Sequence, residues 1–183
     1  MEKDIVFAGF GGQGVLTAGL IVANVAKDEG KEVLWMPAYG GQMRGGKSYS
    51  LVKYSEEKIC HPDIEELDVL VAMNRPSLEG FSDFVKPGGL VLINSDTIGN
   101  DVTFEKEGVR VIRAPFATIA REVKNSKGAN IAALGMLIRE EKLFDYEIFE
   151  KGLLKFFEEK GKVAFADINK AALKAGFDYK VEK

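Results

Sequence analysis

A chain of 183 residues with 46% hydrophobic and 29% charged residues has the composition of a soluble globular protein, long enough for one good core plus a helical extension. Its net charge of −3 lacks the basic field that general nucleic-acid binding requires. One cysteine, Cys60, cannot form an internal disulfide, nor hold an iron–sulfur cluster, which takes about four thiolates.

In chain order, "DIVFAGF" (4–10) is a short apolar run ending in glycine and predicts a buried strand. "QGVLTAGLIVANVAKDEG" (13–30) predicts a helix, with Val15, Leu16, Leu20, Val22, Ala23 and Ala26 on one broad face and Gly30 as its stop. "KEVLWMPAYG" predicts a second strand stopped by Pro37. Strand, glycine loop, helix and strand make a βαβ unit, which implies parallel strands and a right-handed crossover. "KSYSLVKYS" (47–55) alternates only partly and predicts an edge or antiparallel strand. "ELDVLVAMN" (66–74) is the clearest buried strand, and "RPSLEGFSDFV" predicts a helix irregular at Gly80. Gly88-Gly89 then turns into a strand "LVLINS" (90–95), and "GVRVIRAP" (108–115) predicts one closed by Pro115.

Beyond Pro115 the pattern changes to helical spacing, through "FATIAREVKNS", "ANIAALGMLIREEKL", "DYEIFEKGLLKFFEEKG" and "VAFADINKAALKAGFDY". "NIAALGMLIREEKL" is apolar nearly all round, which predicts burial on several sides, either in the chain's own core or against another subunit. Phe144, Phe149, Phe156, Phe157 and Phe165 are expected in the core. The expected fold is α/β: a single Rossmann-like open sheet, mostly parallel, with helices on both faces and a helical C-terminal third, forming one domain over 1–183. No apolar run reaches the ~20 residues of a membrane span, and "MEKDIVFAGF" has neither the basic region nor the cleavage site of a signal peptide, so a cytoplasmic location is expected.

Two glycine loops carry the chemistry. "GFGGQG" matches G-x-G-x-x-G through Gly9, Gly11 and Gly14, between a strand and a helix. A helix N-terminus presents backbone N–H groups and a positive dipole end, and glycines let a phosphate or carboxylate approach them. Dinucleotide binding further needs an acid at the end of the second strand, which here ends "WMPAYGG" with no Asp or Glu. A P-loop is excluded, since no Lys-Ser or Lys-Thr follows. The second loop lies in "AYGGQMRGGKSYS" (38–50), where Gly-Gly-Gln recurs and Arg44 offers a planar fork for an anion. Loops after parallel strands open at the same carboxyl end, so the two are expected to form one anion-friendly surface. The plainer alternative, a flexible hairpin, is disfavoured by Trp35, Met36, Pro37, Tyr39 and Met43. Asn74, Arg75, Ser95 and Asp96 follow strands at that edge, placed to orient a ligand.

The catalytic inventory is thin. His61 is the only histidine, which leaves no Ser-His-Asp set, and Cys60-His61 is a poor start on the four ligands of a zinc site. Asp63, Glu65 and Glu66 read as a solvated charge run. No catalytic or metal-binding residue is therefore expected, and the chain lacks a self-sufficient active site.

Together, "GFGGQG", "YGGQMRGGKSYS", "DVLVAMNRPSLEGF", "VKPGGLVLINS" and "GANIAALGML" resemble the gamma subunit of 2-oxoacid:ferredoxin oxidoreductases, the pyruvate/ketoisovalerate gamma family, in the right order over most of 4–138. The resemblance implies a complex that oxidatively decarboxylates a 2-oxoacid with coenzyme A, giving acyl-CoA, carbon dioxide and reduced ferredoxin. It implies alpha and beta subunits, with a possible delta subunit, as partners. Thiamine diphosphate with Mg2+ and iron–sulfur clusters would be held by those partners, so that this chain holds no cofactor alone. Gamma would pack on alpha near the entry of coenzyme A. Gly9, Gly11, Gly12, Gln13 and Gly14 match the first motif and Arg44, Gly45 and Gly46 the second; with Asn74 they form the expected cofactor-facing set. One departure is that Gly40-Gly41-Gln42 stands where the family often has Gly-Pro-Glu. "AMNRPSLEGF" and the short chain are most similar to 2-oxoglutarate or branched-chain enzymes, with pyruvate and indolepyruvate enzymes, or a stand-alone nucleotide-binding oxidoreductase, as alternatives.

Overall fold

The computed structural model describes residues 2–40 and 46–181. The chain divides into two compact units, Met1–Ala114 and Pro115–Lys183.

The first unit is an α/β sheet of six strands: β1 (Lys3–Phe10), β2 (Glu32–Tyr39), β3 (Lys47–Ser55), β4 (Leu67–Ala72), β5 (Val85–Asn94) and β6 (Arg110–Ala114), in the order β2-β3-β1-β4-β5-β6. The sheet is mostly parallel: β1, β4, β5 and β6 run the same way, and β3 is antiparallel to both its neighbours. All six residues of β4 are buried, which is why this strand reads as an apolar run interrupted only by Asp68. Each fully buried Leu or Ile contributes about 1.5–3 kcal/mol relative to exposure.

Helices lie on both faces of the sheet. α1 (Val15–Asp28) packs so closely on β3 that a Cβ at Gly19 would lie 2.0 Å from Ser50 Oγ. Trp35 Nε1 donates to that same hydroxyl at 2.7 Å. On the opposite face Leu78 of α2 (Arg75–Phe81) joins Val6, Ala8, Leu51, Ala72 and Ile93 in one core cluster.

Four expectations are corrected. β3 is antiparallel, as expected, but it is not an edge: it returns between β2 and β1, so β2 is parallel to β1 without pairing to it. Pro37 does not stop β2, which runs on to Tyr39. An edge strand tolerates a missing N–H because one of its sides has no ladder. Gly88 and Gly89 lie inside β5, where Gly88 adopts φ +85° and the register with β4 shifts. Gly80 sits within α2, and the irregularity comes after it, as a 3-10 turn at Ser82–Phe84.

The amino end of this sheet holds buried charges. Lys53 is 4% exposed and Asp4 7%, and Lys53 Nζ lies 2.5 Å from Asp4 Oδ2. Glu2 also reaches Lys53, at 3.6 Å. Asp68 faces Lys3 at 3.3 Å and Lys86 at 3.1 Å, and it accepts from the Asp4 backbone N–H. Asp4 Oδ1 is buried without a hydrogen-bond partner. Burial lifts the Asp4 carboxyl above its ordinary value, and the bond to Lys53 pulls the other way.

The second unit holds α3 (Phe116–Glu122), α4 (Ala129–Glu141), α5 (Tyr146–Glu159) and α6 (Ala166–Asp178). Every residue from Asn130 to Ile138 is buried, as the all-round apolar pattern predicts. α4 and α6 cross at glycines: a Cβ on Gly176 would lie 1.9 Å from Ala132 O, and one on Gly135 2.0 Å from Leu173 O. Arg139 Nη1 closes the end of α6 by donating to the carbonyls of Phe177 and Tyr179. Phe149, Phe156 and Phe157 are buried and Phe144 is half-buried, but Phe165 is 52% exposed, against expectation, on the turn that precedes α6.

Candidate ligand-binding site

The two glycine loops meet at the carboxyl end of the sheet. β1 delivers Phe10 to a tight turn in which Gly12 takes φ +102° and Gly14 φ +73°, both in the region that favours glycine. Gly14 begins α1, whose N-terminus has no side-chain cap. The Gly11 N–H donates to Gly46 O at 3.0 Å, which ties the first loop to the start of β3. At the other side of that connection the Gly40 N–H donates to Lys47 O at 2.9 Å. Arg44 and Gly45 lie outside the described residues.

A cleft of about 380 Å³ opens between the first loop, the first turn of α1 and the strand ends; its described wall includes Gly11, Gly12, Gly14, Thr17, Tyr39 and Ser48. No ionised side chain lies in that described wall. What it offers an anion is backbone N–H, the positive end of α1 and three hydroxyls, of Thr17, Tyr39 and Ser48. A second cleft of about 400 Å³ shares Tyr39 and Ser48 and runs toward α2, where the Tyr49 and Phe81 rings meet at a tilt of 60° with centroids 4.9 Å apart. Lys47 lies on its wall. Tyr39 is 69% exposed and belongs to both clefts.

Gln13 and Asn74 are brought together, but beneath the loop. Gln13 Oε1 accepts from the Phe10 N–H at 2.7 Å and from Asn74 Nδ2 at 3.0 Å, and Gln13 Nε2 donates to Met73 O at 2.9 Å. Asn74 is 4% exposed and its Oδ1 caps α2 by accepting from the Ser77 N–H. Thr97 Oγ1 donates to the same Met73 carbonyl at 2.6 Å. Gly9 makes room for this arrangement, since a Cβ there would lie 2.7 Å from Gln13 Oε1. Arg75 is paired with Glu79 at 2.7 Å, and the Asp96 N–H donates to Asn94 Oδ1. Tyr39, Ser48, Thr17 and Thr97 carry no sequence signal of their own; only their places at strand ends or in the first turn of a helix bring them to this edge.

Elsewhere Cys60 is exposed, and the described residues include no group of three or more His, Cys, Asp or Glu able to hold a metal ion. No helix among them is long and apolar enough to cross a membrane.

An open α/β sheet with two glycine loops joined at its carboxyl edge defines an α/β protein of the open-sheet class with a cleft at its strand ends. More narrowly, the chain belongs to the pyruvate ferredoxin/flavodoxin oxidoreductase family, whose model matches residues 4–179. It is 41% identical, over 97% of its length, to the ketoisovalerate oxidoreductase subunit VorA of Methanothermobacter marburgensis, of which it spans only 36%. It is 37% identical to the 2-oxoglutarate synthase subunit KorC of Methanocaldococcus jannaschii, over 91% of both chains. Among solved structures it is similar to the 2-oxoglutarate:ferredoxin oxidoreductase of Magnetococcus marinus with 2-oxoglutarate, coenzyme A and succinyl-CoA bound. That match has a TM-score of 0.79 at 28% identity and covers 96% of this chain and 30% of the other.

Proposed function

We propose that the chain, acting as one gamma-type domain over 1–183, is the gamma subunit of a multi-subunit 2-oxoacid:ferredoxin oxidoreductase. The complex converts a 2-oxoacid and coenzyme A to acyl-CoA and carbon dioxide while reducing ferredoxin. Alpha and beta subunits, with or without delta, supply thiamine diphosphate, Mg2+ and the clusters, and this chain supports assembly and lines the coenzyme A approach. The observation that carries the reading is the Gly11–Gly46 bond, which makes one cleft edge of two glycine loops. Of the nine expected residues, Gly11, Gly12, Gly14, Arg44, Gly45 and Gly46 build the surface that faces the phosphates of coenzyme A, while Gly9, Gln13 and Asn74 support that surface from behind. The Magnetococcus enzyme, similar over 96% of this chain, was solved with coenzyme A bound, which supports the ligand class.

The strand order weighs against a stand-alone dinucleotide enzyme. There the ribose acid ends the strand beside β1. Here β3 occupies that place, so the end of β2 lies two strand spacings away, about 10 Å. For the 2-oxoacid we place 2-oxoglutarate first, on the likeness to KorC and to the Magnetococcus enzyme, with ketoisovalerate second, on the likeness to VorA.

The test is affinity purification of the tagged chain from its native cells, followed by viologen reduction with 2-oxoglutarate, ketoisovalerate, pyruvate and indolepyruvate, each with and without coenzyme A. Co-purifying thiamine and iron–sulfur subunits with CoA-dependent activity are expected, the fastest substrate naming the enzyme. A chain recovered without partners overturns the reading. Within the complex, Arg44→Ala is expected to weaken coenzyme A use or assembly, because a lone alanine cannot replace a two-pronged cation. Unchanged kinetics in an intact complex would remove Arg44 from the site.

A further inference from the structure

The side chains of Gln13 and Asn74 point into the protein's own hydrogen-bond network. Gln13 Oε1 has two lone pairs and accepts two bonds, from Phe10 N–H and Asn74 Nδ2. Its amide nitrogen is held by Met73 O, which also accepts from Thr97. Asn74 divides its amide between Gln13 and the Ser77 N–H. The peptide that carries Asn74 is pinned again by the Met73 N–H, which donates to Ala8 O at 2.8 Å. Gly9 has its own reason to be glycine here: it admits the Gln13 amide, whatever the ligand requires.

We propose that Gln13 and Asn74 are positioning residues, which lock the first glycine loop in its receiving shape without touching the ligand. One amide ties the start of the turn, at Phe10, to the end of the neighbouring strand, at Met73 and Asn74. The loop's backbone N–H groups are thereby fixed toward the cleft before an anion arrives. Such pre-organisation lowers the ordering cost of binding and so acts on affinity rather than on turnover. In naming coenzyme A as the ligand whose affinity is set, the inference rests on the gamma-subunit reading above.

A double-mutant cycle in the assembled enzyme tests it. Gln13→Met keeps length and removes the amide; Asn74→Asp keeps the helix cap and removes the donor to Gln13. Asn74→Asp, which breaks one bond, is expected to raise KM for coenzyme A about fivefold, the factor that one net hydrogen bond is worth, and Gln13→Met, which breaks three, at least as much, with kcat and KM for the 2-oxoacid within twofold. The double variant is expected to match Gln13→Met alone, because that change already removes the bond that Asn74→Asp breaks. A product of the two effects, about 25-fold, would mean that each side chain contacts the ligand on its own and would overturn the proposal; so would unchanged KM. Leu137→Val, a small loss of core packing in α4, controls for stability and is expected to leave KM unchanged. A second readout is independent of the ligand. In the complex without coenzyme A, the Phe10 amide is expected to exchange with solvent about fivefold faster in Gln13→Met than in the unsubstituted protein. If the unsubstituted complex shows no dependence on coenzyme A, the gamma-subunit reading fails, and the exchange rate alone then decides the loop-locking claim.

Discussion

The two ends of the sheet in the first unit are held by opposite chemistry. At the carboxyl end, backbone N–H groups, two amides and the Thr97 hydroxyl join the loops, and the described wall of the first cleft carries no ionised group. At the amino end, Lys53, Asp4 and Asp68 are all less than 10% exposed, with Lys53 paired to Asp4 and Asp68 to Lys3 and Lys86. Neutral dipoles can be fixed in place and still leave an incoming anion nothing to displace, which suits a binding edge. A buried ion pair rewards only its own partner and punishes any break, which suits an end that merely holds strands in register. The largest test of this contrast is Lys53→Met, which leaves the Asp4 carboxylate buried without its cation. It is expected to cost about 3–5 kcal/mol in thermal or denaturant unfolding. Adding Asp4→Leu is expected to recover most of that loss, because an apolar pair of similar volume needs no solvation. If Lys53→Met costs under about 1 kcal/mol, the pair is solvated and behaves as a surface one.

At the carboxyl end, Gly9→Ala places a methyl 2.7 Å from Gln13 Oε1 and 3.0–3.1 Å from Val15 and Met73. Overpacking of this kind costs about 1–3 kcal/mol and is expected to displace the amide, so stability and coenzyme A affinity fall together. Gly12→Ala has open space around the new methyl but must hold φ +102°. Its expected cost is about 1–2 kcal/mol, from backbone strain alone. The ordering of these two variants separates crowding from strain. If Gly12→Ala proves the more damaging by unfolding, the loop is limited by its dihedrals and not by the Gln13 amide.

Periodicity and composition made much of this fold legible, because they report which residues are buried. The run Leu67–Ala72 and the all-round apolar Asn130–Ile138 are buried as their patterns require. What periodicity does not encode is strand order. Strand, helix and strand imply a parallel pair, but nothing in that pattern says that β3 will return between the two. Pro37 read as a stop because its lack of an N–H matters only when the side it faces is paired. The meeting of the glycine loops was legible, since loops after parallel strands share an end. The inward turn of Gln13 and Asn74 was not: 61 residues separate them, and only the β1–β4 register brings them together. The Asp4–Lys53 pair was hidden in the same way, each residue looking like an ordinary polar position in a strand.

The smallest expected effect is a slope. Burial raises the Asp4 carboxyl above its ordinary value of 3.8, with the bond to Lys53 offsetting only part of that rise. The folded chain therefore keeps this proton at pH values where the unfolded chain has released it. The group's contribution to stability is fully present below pH 3.8, falls as pH rises through the folded-state value, and is level above it. Asp4→Asn cannot titrate. Its stability relative to the unsubstituted protein is expected to improve across the interval above pH 3.8 and then stay constant, as read from denaturant midpoints in a pH series. A difference that moves the opposite way would show that attraction to Lys53 outweighs burial and the repulsion of Glu2 and Asp68. The amino end would then stabilise the sheet through its charges at neutral pH, and the contrast with the neutral carboxyl end would sharpen from one of tolerance to one of driving force.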